Sequence, residues 1–363
     1  MISIAASLPD PSAMAFEAFY PAIGSNTGNY MFTVAMYRQL AGQVDQIGFV
    51  FDPKKINETY DFIAIPCANW LNSYSNWDWM SDLLDQVEIP LVPIGLGLQA
   101  NSTDLSAVTI NDSCMRLARI FQAKAKMISV RGDFTRDYLR SIGIDNVVTT
   151  GCPSLYMRMN HGNSPLADDD SICLQSTRYG ITGEFVEKSS INREIFQVAK
   201  ARNADIIFQS EPEEIRYLIS GDISALALER APNLLANLYG FETAQELATF
   251  LDEHGKVFTD LDAWSRHVRT KSVNIGTRLH GTILALNSDV PAALIPHDSR
   301  TSEMAAFANM PTVELGALQK ANVAREINPM DLQQYYETRS RNGKTYREFL
   351  RSCNVDFNEV ALL

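Results

Sequence analysis

Basic residues are in short supply in this chain: 31 lysines and arginines stand against 43 aspartates and glutamates, a formal net charge of −12. That excludes a nucleic-acid partner, which would need a broad basic face. Any anionic ligand must instead be held by a local basic cluster against an unfavourable overall field. Cysteine is scarce too. The five (Cys67, Cys114, Cys152, Cys173, Cys353) are scattered and form no Cys-x-x-Cys pair. This argues against a disulfide framework or a zinc site, and for a reducing compartment. No stretch reaches 18 apolar residues, and the N-terminus lacks a basic region followed by an apolar core and cleavage site, so the expected location is cytoplasmic. Without a signal peptide, the glycosylation patterns at Asn57-Glu58-Thr59 and Asn101-Ser102-Thr103 carry no meaning. Repeats, low-complexity tracts and clusters with metal-ligand spacing are also missing, and neither a metal nor a cofactor is expected.

What is present is a folded α/β pattern. Hydrophobic residues at 46% and charged residues at 20% suit a globular chain, and 363 residues suit two domains. Apolar runs of strand length alternate with helical patterns, which predicts parallel sheets. Strands are predicted at 44–51, 62–65, 90–94, 127–130 and 147–150, then at 171–174, 206–209, 257–259, 273–275 and 292–295. Helices are predicted at 30–40, 80–86, 113–125 and 134–142, then at 191–202, 226–237, 244–253 and 263–268. The polar run 160–170, ending in three aspartates, is the predicted domain boundary. It separates an N-terminal Rossmann-like domain (1–160) from a C-terminal one (165–325). A helical tail (326–363) follows, of the kind that often packs back across a domain junction.

Two clusters stand out. Gly276-Thr277-Arg278-Leu279-His280-Gly281 and Pro296-His297-Asp298-Ser299-Arg300 hold two arginines and two of the five histidines within 25 residues. Each stands where a predicted strand gives way to a helix. In one parallel sheet, both would lie at the carboxyl edge, where open α/β sheets bind ligands. A single Arg-x-His on such a turn is an ordinary helix-end feature. Two on successive turns describe a pocket for a small, multiply charged anion.

These clusters resemble the signature region of the polysaccharide pyruvyl transferase family. Ser129-Val130-Arg131-Gly132-Asp133 and Thr150-Gly151-Cys152-Pro153-Ser154 are similar to its middle motifs, and Pro93-Ile94-Gly95-Leu96-Gly97-Leu98-Gln99 to its glycine-glutamine turn. The matching segments run from about residue 23 to about residue 304. The resemblance implies an α/β fold of two Rossmann-like domains facing a central cleft, the B-type glycosyltransferase-like architecture. It implies that phosphoenolpyruvate is the donor substrate and that its enolpyruvyl unit passes to two hydroxyls of one sugar. The products would be a cyclic pyruvate ketal and phosphate, in surface or extracellular polysaccharide synthesis. The acceptor would be a glycan, free or lipid-linked, and a lipid-linked one would make the protein peripheral at the inner membrane. Acceptor sugar, ketal regiochemistry and oligomeric state stay open.

Under that resemblance Arg131, Arg278 and Arg300 bind the donor, since a planar guanidinium makes bidentate bonds to carboxylate and phosphate alike. Arg178 is a weaker fourth. His280 is the first candidate for the acid that protonates the donor's methylene carbon, and His297 the second, with Asp298 as its orienting group or base. Gly97 and Gln99 of one turn, and Asn26 and Asn29 of Gly24-Ser25-Asn26-Thr27-Gly28-Asn29, are expected to meet substrate in the cleft. Cys152 reads as a turn residue, and His161, His254 and His267 as surface residues. Trp70, Tyr74, Trp77 and Trp79 read either as a platform for a sugar face or as a buried loop anchor. A B-type glycosyltransferase using a nucleotide sugar would share the architecture, and its diphosphate would also suit the arginines. The order of the motifs favours pyruvyl transfer. A non-catalytic sugar-binding protein is disfavoured by the complete set of His280 and three arginines.

Overall fold

Short runs of apolar residues bounded by turn residues become strands buried on both faces, the pattern of parallel sheets covered by helices. The computed structural model describes residues 1–4, 7–100, 104–160, 162, 164–167, 170–178, 183–319, 327 and 329–363; His161 and residues 101–103 lie outside them. The strands are β1 (Ile63–Pro66), β2 (Leu91–Ile94), β3 (Ile128–Val130), β4 (Val147–Thr149), β5 (Ile172–Gln175), β6 (Asp205–Ile207), β7 (Gly255–Lys256), β8 (Val273–Gly276) and β9 (Ala292–Leu294).

The first half pairs β1 with β2 and β3 with β4, all parallel. A bridge between Leu96 and Val130 joins the two pairs. In the second half the order is β7-β6-β5-β8-β9, again all parallel. Counted within that half this is 3-2-1-4-5, the doubly wound Rossmann order, and it reverses between β5 and β8. Gly276 pairs with Gln175 at this reversal, and a Cβ on Gly276 would overlap the carbonyl oxygen of Gln175. Gly276→Ala must therefore spread the central pair. We expect it to lower stability by about 3 kcal/mol, the upper end for overpacking. An unchanged denaturation midpoint would contradict this close approach.

Several predicted elements change. Residues 44–51 form no strand: Gly48 turns the chain at φ +66°, Val50 is 86% exposed, and Ile47 reaches the sheet edge through one bond from its N–H to the Met1 carbonyl. No strand forms at 257–259, because β7 ends at Lys256. The helix predicted at 226–237 is only Leu234–Tyr239, since Pro232 lacks an N–H and disfavours helix before it. Helices Phe16–Ala22, Pro53–Thr59 and Pro212–Ser220 were not predicted. The last two begin at a proline after Asp52 and Glu211, the position at which proline's fixed φ suits a helix.

Helix Thr27–Gln39 is buried on most sides and joins the halves. It packs on β1, on the turn Pro153–Tyr156 and on helix Leu279–Asn287. At its start the Thr27 N–H donates to the Gln209 carbonyl, and the Tyr20 hydroxyl donates to the Ser210 carbonyl. The tail touches residues on both sides of position 160: Arg339 donates to Asn287 Oδ1 at 3.1 Å and Asn342 Nδ2 to the Phe307 carbonyl at 3.1 Å. From helix Pro329–Ser352, Tyr346 stacks on Tyr156 at 5.0 Å and donates its hydroxyl to Gln39 Oε1 at 3.1 Å. Beyond it, Phe357 bridges Leu40 and Leu362 bridges Met157, both antiparallel. We keep a division near residue 160 as a proposal, with residues 16–39 and the tail astride it. Among the described residues no helix is long and apolar enough to cross a membrane.

Candidate active site

The carboxyl ends of both sheets open on one cavity of about 300 Å³. Arg131 enters it from the end of β3 and Asn69 from the end of β1. Thr177 follows β5, Gln209 and Ser210 follow β6, Arg278 and His280 follow β8, and His297 and Arg300 follow β9. Asn26 and Asn29 complete it at the start of helix Thr27–Gln39. Seven of the residues singled out from sequence thus converge: Asn26, Asn29, Arg131, Arg278, His280, His297 and Arg300.

The three arginines differ in how they are held. Arg131 is buried, and its guanidinium donates to the carbonyls of Gly95 (3.0 Å) and Cys67 (3.4 Å) and to Asn69 Oδ1 (3.3 Å). It also lies 5.7 Å from the centre of the Phe32 ring. Arg278 donates to the Ser176 carbonyl at 2.9 Å, to Ser210 Oγ at 2.5 Å and to the Glu211 carboxylate. Glu211 also accepts the backbone N–H groups of Arg178, Gln209 and Ser210. Burial opposes its charge, yet Arg278 and these N–H groups hold it below the usual glutamate range. Arg300 pairs with Asp298 and reaches Gln99 Oε1 at 3.3 Å, which in turn accepts the exposed Tyr74 hydroxyl at 2.7 Å.

Four assignments are corrected by this geometry. Asp298 caps helix Ser299–Ala308, with Oδ1 accepting from the Thr301 N–H and hydroxyl and Oδ2 held by Arg300, so its carboxylate is committed rather than free as a base; Oδ2 also lies 3.8 Å from His297 Nε2, where an orienting group would stand. Gly97 does not line the cavity; a Cβ there would fall 2.6 Å from Asn69 Oδ1 and 3.1 Å from Arg131 Cδ, so its bareness makes room for both. Gln99 lies behind Arg300 rather than in the lining. Arg178 turns away into a buried cluster with Glu213, Glu214 and Tyr239.

His280 occupies the first turn of helix Leu279–Asn287. Burial, with Arg131 and Arg278 adding to it, brings its pKa down to about 3, so the resting ring is neutral. Its Nε2 lies 3.6 Å from Cys152 Sγ. His297 is shifted in the same direction, chiefly by burial, and Asp298 opposes the shift. The effect on stability has a definite sign. A histidine with a depressed folded pKa contributes fully above its unfolded value of 6.5 and loses that contribution as pH falls towards about 3. We expect the melting temperature of wild type to fall between pH 6.5 and 4.5, and that of His280→Asn to fall less steeply. Parallel curves would contradict a neutral His280.

His254 and His267 are placed differently from the expectation. His254 is buried, with Nδ1 3.4 Å from Asp205, and His267 Nε2 is 3.2 Å from the same carboxylate. Lys271 completes this cluster at 2.8 Å. Asp205 begins β6, so the cluster sits at the sheet edge opposite the cavity. It collects charge where strands and helices bury it.

The aromatic group splits. Trp77 stacks on Trp70 at 4.5 Å and donates Nε1–H to the Trp70 carbonyl, which is the loop-anchor reading. Trp79 and Tyr74 stay exposed, and Tyr74 touches the cavity's rim through Gln99. We expect Trp77→Ala to cost roughly 2–4 kcal/mol, measured by chemical denaturation, with donor kinetics unchanged. Wild-type stability together with a raised acceptor KM would restore the platform.

Glu211, Ser210, Gln209, Asn69 and Cys152 were missed. The first three follow β6 and Asn69 follows β1, so the strand-end rule that found Arg278 and Arg300 would have found these four as well. Cys152, between Gly151 and Pro153, reads in sequence as a turn residue, and its partner His280 lies 128 residues away.

The chain was also compared with known proteins. A family model described as polysaccharide pyruvyl transferase matches residues 26–299. No curated protein matches the chain. Among solved structures, UDP-GlcNAc 2-epimerase from Methanocaldococcus jannaschii aligns at 11% identity over 87% of this chain and 89% of its own, with a TM-score of 0.42. UDP-GlcNAc 2-epimerase from Neisseria meningitidis, bound to UDP-GlcNAc, aligns at 12% identity over 89% and 81%, with a TM-score of 0.41.

Proposed function

As the chain belongs to the polysaccharide pyruvyl transferase family, we propose that it takes phosphoenolpyruvate as donor and forms a pyruvate ketal on two hydroxyls of one sugar. The observation that carries this reading is the meeting of Arg131 from one half with Arg278 and Arg300 from the other around one cavity that also holds His280. A carboxylate and a phosphate on a three-carbon frame need convergent bidentate donors, and guanidinium groups supply them. A cavity of about 300 Å³ is at the small end for ligand sites and suits such a donor plus the reacting edge of a sugar better than a nucleotide sugar.

In this mechanism the bound donor's negative charges raise the pKa of His280, reversing the depression seen in the resting site. The imidazolium then protonates the methylene carbon, and C2 becomes an electrophile open to the first sugar hydroxyl. The neutral ring takes up that hydroxyl's proton. Phosphate departs, and the second hydroxyl closes the ketal at C2, with His297 as the second proton acceptor. No metal or cofactor is part of the proposal. The test is to incubate the protein with phosphoenolpyruvate and a panel of glycans while measuring phosphate release and pyruvyl mass gain. Consumption of a nucleotide sugar, with phosphoenolpyruvate untouched, would instead favour glycosyl transfer.

A further inference from the structure

We infer that Cys152 is a positioning residue for His280: its thiol engages Nε2, which leaves Nδ1 as the nitrogen that exchanges protons with the substrates. The inference rests on the pyruvyl-transfer reading for its chemistry, but its geometry stands in the resting protein. Cys152 is fully buried and does not line the cavity, so its sulfur cannot attack a substrate. It does lie 3.6 Å from His280 Nε2. Ser154 Oγ donates to the same sulfur at 3.0 Å, which occupies a lone pair and leaves the thiol hydrogen for Nε2.

The turn that carries Cys152 is fixed on several sides. Gly151 adopts φ +77°, where a Cβ would also crowd Leu155 and the Phe307 ring. The Pro153 carbonyl accepts from Gln39 Nε2 at 2.9 Å, and the Ser154 carbonyl from Asn287 Nδ2 at 2.8 Å. The opposite edge of the imidazole lies against the start of helix Thr27–Gln39 instead. A Cβ on Gly28 would fall 2.6 Å from Nδ1 and 3.0 Å from Asn26 Oδ1, and Asn26 and His280 both line the cavity. One nitrogen therefore faces a buried sulfur, and the other lies on the cavity side of the ring, against a backbone that only glycine lets come so close.

A thiol serves both states of the ring, because it donates and accepts. In the neutral ring, Nε2 accepts S–H and Nδ1 carries the hydrogen. When the bound donor draws a solvent proton onto Nε2, the sulfur accepts that N–H. Nδ1 then gives its proton to the methylene carbon: the alkene π pair forms the new C–H bond, C2 is left cationic, and the N–H pair returns to Nδ1. That lone pair takes the acceptor hydroxyl's proton as the C–O bond forms. The competing account is that Cys152 is a small apolar filler, the common use of a buried free cysteine.

The two accounts separate without substrate. Full-length protein labelled with ¹⁵N-histidine, its His280 signals assigned by their loss in His280→Asn, should show Nδ1 protonated and Nε2 bare. Cys152→Ala should abolish that pattern and Cys152→Ser should restore it. With phosphoenolpyruvate and acceptor, Cys152→Ala should lower kcat by about 10- to 100-fold, as loss of a partner that orients a histidine does, and displace the pH profile while donor KM holds. Gly28→Ala, a change that helices favour, should fold and lose turnover because its Cβ would push the imidazole out of place at Nδ1. Unchanged ¹⁵N signals in Cys152→Ala, or full turnover in Gly28→Ala, would overturn the inference. A wild type that shows the resting tautomer but never turns over phosphoenolpyruvate would sink the pyruvyl-transfer reading and leave the positioning role intact.

Discussion

With His280 replaced by asparagine, the protein is expected to fold, to bind phosphoenolpyruvate, and to release phosphate about 10²–10⁴ times more slowly than wild type, the range for a lost general acid. Proton transfer to carbon is slow without a positioned donor, and His280 is the cavity histidine flanked by both Arg131 and Arg278. The variant keeps the arginines, so calorimetry should record donor binding near the wild-type value. Asparagine is smaller than histidine and sits in the first turn of a helix, where it is tolerated. Unimpaired turnover would remove His280 from the chemistry and turn attention to His297. Loss of binding together with turnover would make it a ligand-holding group and leave the acid unidentified.

The second large effect is expected at Arg131. Arg131→Lys keeps the charge but loses the fork that now spans the carbonyls of Cys67 and Gly95 and the side chain of Asn69. Losing one charge-assisted bond in a closed site costs roughly 1.5–3 kcal/mol, so kcat/KM for the donor should fall about 10- to 100-fold. Arg278→Lys and Arg300→Lys should also weaken donor use. At Arg278 the kinetic loss should come with lower stability, because Glu211 is buried and relies on that guanidinium. Among the described residues Arg131 forms no ion pair of that kind, and the more distant Glu303 is also held by the Thr135 N–H, so the loss of Arg131 should appear in kinetics first. Wild-type kcat/KM in Arg131→Lys would remove it from the donor site.

How much of this was visible in the sequence follows from the range of the interactions. Parallel strands buried on both faces leave continuous apolar runs, and eight of the nine strands among the described residues overlap predicted ones. The ninth, β7, is two residues long and too short to leave a pattern. Arg278, His280, His297 and Arg300 were readable because strand-to-helix turns place their residues on one edge, whatever the rest of the chain does. The cap that Asp298 makes is invisible in sequence because a helix cap and a catalytic carboxylate look the same in one dimension. Only the bond from the Thr301 N–H tells them apart. Arg178 was misjudged for a related reason: its fate is set by Glu213 and Glu214, on a helix that was not predicted. Cys152 and Gly28 matter through contacts between the halves, which no local pattern encodes.

The tail's grip on helix Thr27–Gln39 bears on how the chain acquires its fold during synthesis. Gln39 meets Tyr346 across 307 positions of sequence, and its carbonyl accepts the Asn358 N–H. Contacts of that span form late, and domains otherwise tend to fold as they leave the ribosome. The first half can therefore collapse while its second helix still lacks the partners that seat its end. Gln39 and Leu40, at the end of that helix, wait for the tail to be translated. Until then a nascent chain would display the apolar Leu40 to the solvent or to a chaperone.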